Sequence, residues 1–125
     1  MNYIKQALEA KGVKASIIRR NSKMENMQTL VENIEDWSVD KGLNNSDPNK
    51  QMLKVVEEIG ELSQGLVKDD RDQVIDSIGD AVVTLVILSQ QLGLTLEQCT
   101  AYAYNEIKDR KGEMRNGSFI KEADL

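Results

Sequence analysis

Two short acidic runs, Glu57-Glu58-Ile59-Gly60-Glu61 and Asp76-Ser77-Ile78-Gly79-Asp80, constrain this chain more than any other feature. On a helix, Glu58 and Glu61 fall one turn apart on one face, and Glu57 stands one turn from Glu61. Asp76 and Asp80 are likewise one turn apart on theirs. If the two helices pack antiparallel, carboxylates from both sides point into one small volume. Such a cluster repels itself unless a cation sits in it. Hard divalent ions with oxygen ligands, Mg²⁺ above all, are its natural occupants.

The remaining composition agrees with helices. Aromatic residues make up 4% of the 125, there is one Pro, and Leu, Ile, Val and Met carry the apolar content. The length suits one domain with a modest core. Residues 1–23 hold six Lys or Arg against one Glu, and the rest hold ten against twenty, which together give the net −5. The first 23 residues therefore read as a basic N-terminal arm, and 24–125 as the helical domain. The acidic balance gives no bulk attraction to nucleic acid or to an anionic membrane. The apolar run Ala81–Leu88 is too short to span a bilayer. No apolar core follows the basic start, so no signal peptide is expected. A lone Cys99 excludes an internal disulfide and fits a reducing, cytoplasmic compartment. With no His, the Ser-His and Cys-His triads and all His-ligated metal sites are excluded.

Four helices are expected. Ser22-Lys23-Met24-Glu25 has the capping-box pattern. Met24, Met27, Leu30, Val31, Ile34 and Trp37 then recur at helical spacing to about Asp40. Trp37 can be a core residue or stack on a nucleobase. Asp47-Pro48 opens the second helix. Its broad apolar face carries Leu53, Val56, Ile59, Gly60, Leu66 and Val67, with Lys54, Glu58 and Glu61 away from it. Gly60 suggests the close approach of another helix. Asp70-Arg71-Asp72-Gln73 caps a third helix that runs toward Gly93, with Val74, Ile75, Ile78 and Val82 inward. Asp76 and Asp80 share a stripe with Val83 and Ile87, so the acids sit at the mouth of a packed interface. Beyond Val82 the helix is apolar nearly all round, which asks for cover from a partner subunit. Thr95-Leu96-Glu97-Gln98 caps a fourth helix with Leu96, Cys99, Ala103 and Ile107 as its core stripe. Asn116-Gly117 makes a turn before a short tail, Ser118-Phe119-Ile120.

Metal ions among four or five carboxylates suit displacement at phosphorus. Glu58, Glu61 and Asp80 are candidate ligands and Glu57 a candidate base. Lys54, Lys108 and Arg110 are candidate phosphate partners. Read blandly, Lys54 and Glu58 form an ordinary surface pair, since helices with adjacent glutamates are common.

Glu57-Glu58-Ile59-Gly60-Glu61, followed by Ile78-Gly79-Asp80 and an apolar run, resembles the MazG-like nucleotide pyrophosphohydrolases of the all-α NTP pyrophosphatase superfamily, to which dimeric dUTPases are related. The likeness spans roughly 25–120. It takes in Trp37, Gln51-Met52-Leu53-Lys54 and the segment Asn105–Gly112. It implies an all-α, four-helix-type bundle assembled as a homodimer or homotetramer. It also implies Mg²⁺-dependent hydrolysis (Mn²⁺ as an alternative) of a nucleoside triphosphate to the monophosphate and pyrophosphate. By motif position, Glu58, Glu61 and Asp80 carry over as metal ligands and Glu57 as a motif member. Asn105 and Lys108 carry over as phosphate or metal-water contacts. The family's ExxD places its Glu at Ser77. Either Asp76, four residues from Asp80, replaces it as a ligand, or the site holds fewer metals and is slow. Two other readings stay open: a non-catalytic, cation-binding helical assembly module, and a relative restricted to dUTP or directed at nucleotide sugars.

Overall fold

The computed structural model describes residues 25–125; the basic arm, and with it Ser22, Lys23 and Met24, lies outside the described residues. The described chain is mostly helical, four helices followed by a small hairpin, in agreement with the all-α expectation apart from that one two-stranded element. The chain divides into two units, one ending at Leu94 and one spanning Thr95–Leu125.

In the first unit, α1 covers Met27–Asp40, α2 Pro48–Val67 and α3 Arg71–Gln91. Helix α1 starts later than the Ser22 pattern suggested. Asn26 is its N-cap, with the side-chain oxygen accepting from Thr29 N at 2.9 Å. Its buried line is Val31 and Ser38, whereas Met27, Leu30 and Trp37 are exposed. The stripe is therefore rotated from the one that apolar residues alone define. Gly42, at φ +73°, ends the helix, and a 3₁₀ turn over Leu43–Asn45 leads to Asp47, whose side chain caps α2 by accepting from Asn49 N.

Helices α2 and α3 form an antiparallel hairpin. Gln73 Nε2 donates to Glu61 O at 2.8 Å near the turn, and Gln51 Nε2 donates to Thr84 O at 3.1 Å near the far end. The turn uses Asp69 in the left-handed region, φ 54°, which Asp tolerates better than most residues. Asp70 caps α3 through Gln73 N, but the Gln73 side chain is engaged with α2, so no reciprocal capping box forms. The close approach falls at Gly65. A Cβ there would lie 3.1 Å from Val74 Cγ2 and 3.2 Å from Val74 N, whereas one on Gly60 would meet nothing within 4 Å. The expectation that Gly60 marks the helix contact is thus corrected.

The packed face of α2 is Gln51, Val55 and Gly65, with Glu58 and Leu62 half-buried. It meets Val74, Ser77 and Ala81, the buried residues along one side of α3. The expected core face of α2 is instead exposed: Val56 is 57%, Ile59 50% and Leu66 61% accessible. Ile78, expected inward, is also exposed. Gly65, Ser77 and Ala81 are the small residues of this seam, and they let the two backbones approach where bulky side chains would hold them apart. Helix α1 lies on α3, tied by Gln90 Nε2 to Glu35 O, and Gln91 Nε2 donates to Leu43 O of the 3₁₀ turn.

In the second unit, Thr95 and Gln98 form the expected capping box of α4, Leu96–Ile107. No residue of α4 is buried, so Leu96, Cys99, Ala103 and Ile107 do not form a core stripe here. Strands β1, Gly112–Arg115, and β2, Ser118–Lys121, pair antiparallel through Asn116-Gly117. Both turn residues have positive φ, 52° and 81°, the signature of the turn that matches strand twist.

Candidate metal centre and adjoining cleft

Turn spacing on α2 places Glu58 and Glu61 along one edge of the hairpin seam, and the same spacing on α3 places Asp76 and Asp80 along the facing edge. Glu58 and Asp80 line the same cleft, and the charges of Glu61 and Asp76 reach both. Burial raises the Glu58 carboxyl above its ordinary value. The nearby charges of Glu61 and Asp80, a hydrogen bond with Glu61, and the charge of Asp76 raise it further. Burial also raises Asp80, with the charge of Asp76, a hydrogen bond to it, and Glu61 adding to the effect. Glu58 Oε2 is buried and has no hydrogen-bond partner. A carboxylate oxygen removed from water with no donor, under the influence of three other acids, is costly unless a cation or proton reaches it.

The cluster is an open one. Among the described residues, no three Cys, Asp or Glu side chains are gathered closely enough as they stand to hold a metal ion. The donor set is nonetheless all oxygen and anionic, the kind Mg²⁺ takes with several waters retained. Ser77 is not in this group; it is 1% exposed, in the α2–α3 seam. Asp76 is in it, acting on both Glu58 and Asp80. Glu57 stands apart, exposed and paired with Lys54 at 3.4 Å between Nζ and Oε2.

Beside the acids, the first unit opens a cleft of about 330 Å³. Glu58, Asp80 and Lys54 line one end; Trp37, Leu43, Val83 and Ile87 supply its apolar wall, with Gln51 and Thr84 between them. The stripe from Asp80 through Val83 to Ile87 thus runs along this wall, acidic at one end and apolar at the other. By helical rise, Gln51 and Glu58 are about 10 Å apart along α2. Trp37, half exposed, lines this cleft and is not part of the buried core. Asn105, Lys108 and Arg110 belong to the second unit and are exposed there.

Sequence reasoning gave Gln51 and Thr84 no role. Turn arithmetic would have found both, since Gln51 is two turns before Glu58 and Thr84 one turn after Asp80. What masked them is their neutrality in a segment scanned for charge.

No family profile matches the chain, and no solved structure matches it. Over 69 residues it is 46% identical to an uncharacterized 18.2 kDa protein in the rep-hol intergenic region of Haemophilus phage HP1. That match covers 54% of this chain and 42% of the phage protein, so the chain spans less than half the relative's length. Among the described residues, no single helix is long and apolar enough to cross a membrane.

Proposed function

We propose that this protein is a MazG-like, Mg²⁺-dependent nucleoside triphosphate pyrophosphohydrolase, releasing a nucleoside monophosphate and pyrophosphate. One observation carries the reading: Glu58 of α2 and Asp80 of α3 line one cleft together with Lys54 and Trp37, and the charges of Glu61 and Asp76 reach both acids. Glu58, Glu61, Asp76 and Asp80 are the residues that would hold Mg²⁺ or Mn²⁺. Such an ion supplies charge neutralisation on the phosphates and lowers the pKa of a bound water. Lys54 Nζ, at the acid end of the cleft, steadies a phosphate oxygen. Trp37 offers a face for the base; Glu57, the expected proton acceptor, is exposed, ion-paired with Lys54 and outside the cleft lining.

The protein is proposed to act as a homodimer or homotetramer in the cytoplasm. Met52, Val56, Ile59 and Leu66 of α2 and Ile78 and Leu85 of α3 are exposed on the side of the hairpin away from the acids. An apolar stripe of that extent asks for a partner, and the free, exposed Cys99 fits a reducing compartment.

The test is a panel of ribo- and deoxyribonucleoside triphosphates with Mg²⁺ and Mn²⁺, products resolved. Pyrophosphate and monophosphate are expected, and both are lost with EDTA. Asp80→Ala and Glu61→Ala abolish turnover, while Ser77→Ala leaves it near the parent rate. A dead Ser77→Ala beside an active Asp76→Ala would reverse the ligand assignment. The open geometry of the acids favours the second reading, a module that binds cations without catalysis. Metal-dependent stabilisation with no pyrophosphate from any nucleotide would select it.

A further inference from the structure

We propose that the apolar end of the cleft reads the edge of a nucleobase and favours an exocyclic amine over a keto oxygen, with Gln51 and Thr84 as the reading residues. This rests on the cleft being a nucleotide site, and it adds which base chemistry that site selects.

The argument is an account of hydrogen-bonding capacity. Gln51 is 9% exposed and lines the cleft. Its Nε2 donates to the main-chain carbonyl of Thr84 at 3.1 Å. A carbonyl can only accept, so this bond fixes which end of the carboxamide is nitrogen. Oε1 is left as an acceptor, together with one N–H. Thr84 Oγ1 donates its single proton to Ala81 O at 2.9 Å. Its lone pairs remain, so toward a ligand this hydroxyl only accepts. Val83 and Ile87 add no polar atom. The Trp37 N–H lies in the plane of its ring. A base stacked on the indole lies parallel to that plane, out of line with the N–H, so the indole contributes its face alone. The edge-reading groups are therefore mostly acceptors. Cytosine presents an amino group beside a bare N3, and adenine one beside a bare N1, a set that two acceptors and the one remaining Gln51 N–H satisfy in full; uracil and hypoxanthine present a keto oxygen beside a single ring N–H, which occupies only one of the two acceptors. A keto oxygen set against Thr84 Oγ1 faces another lone pair and goes unsatisfied.

The protein has one tryptophan, in the wall of this cleft. Its emission reports base binding without metal or turnover. The experiment titrates the full-length protein in EDTA with dCMP and with dUMP, a pair matched in size and charge. The expected result is quenching by both, with dCMP bound about three- to ten-fold tighter, the worth of one net hydrogen bond. Thr84→Val should bring the two affinities together, and Thr84→Ser should keep them apart. Circular dichroism checks that each variant is helical, and if Thr84→Val does not fold, the parent ratio and Thr84→Ser still decide. Equal affinities in the parent, a preference for dUMP, no quenching by either, or a ratio that survives in a folded Thr84→Val would overturn the inference. Pyrophosphate release with no amine preference would sink the base-reading alone. Amine preference with no hydrolysis would sink the enzymatic reading alone.

Discussion

Removing one acid from the cluster should make the metal-free protein more stable while removing its response to metal. The variant is Asp80→Asn, which keeps shape and deletes charge. Asp76 and Asp80 are a like-charged i, i+4 pair, a type that costs about 0.2–0.5 kcal/mol on a helix. Glu58 and Glu61 act on the same volume from α2. These groups are partly solvated, so the larger value, about 0.5 kcal/mol, is a fair ceiling for the intrahelical term. In a unit of this size that corresponds to about 2–4 °C in melting temperature. The pH dependence has a definite sign. Glu58 and Asp80 both bind protons more tightly folded than unfolded, their carboxyls being raised from 4.5 and 3.8. Their favourable contribution is present below those ordinary values and is lost as pH rises through the raised, folded ones. The advantage of Asp80→Asn over the parent should therefore be full at pH 7.5 in EDTA and shrink as the pH falls. Mg²⁺ in hundredfold excess over its dissociation constant should stabilise the parent by about 2.7 kcal/mol and the variant far less. Thermal melts followed by circular dichroism, with EDTA or Mg²⁺, measure all of this. An EDTA melting point for Asp80→Asn at or below the parent's, or an advantage indifferent to pH, would refute the account of the cluster.

The two helical glycines of α2 should respond oppositely to alanine. Gly60→Ala fills open space and should gain about 1 kcal/mol from helix propensity. Gly65→Ala forces a methyl against Val74 and should lose stability in the same denaturant titration. Restoring an acid at the position where the family pattern has Glu should fail: Ser77→Glu puts a charge into the α2–α3 seam, at a cost of several kcal/mol, and should lower the melting point without adding a metal ligand. If the α2 face covers a second copy, Ile59→Arg should shift the sedimentation mass toward one chain with helicity retained. An unchanged mass would mean that this face is not the interface.

The acid runs, the Asp47 and Thr95 caps, the Asn116-Gly117 turn and the order of helices were all legible, because each is a local rule acting within a few residues. What was not legible was which side of α2 faces α3. Periodicity marks residues that need cover, and on α2 it marked Leu53, Val56, Ile59 and Leu66, which this chain leaves exposed. The seam formed instead along Gln51, Val55, Glu58, Leu62 and Gly65, where Gly65 allows close approach to Val74 and Gln51 makes an interhelical hydrogen bond. The same displacement explains the site. Because the polar side of α2 is the packed one, Glu58 is drawn to the edge of the seam and one of its oxygens is buried without a donor. Glu61 and Asp76 stay exposed, where screening makes such charges cheap, so the packing withdraws only Glu58 and Asp80 part-way from water. The carboxylate cluster and the uncovered apolar face are thus two consequences of one packing choice. A substitution that rotated α2, such as a bulky residue at Gly65, should weaken metal binding and alter assembly together.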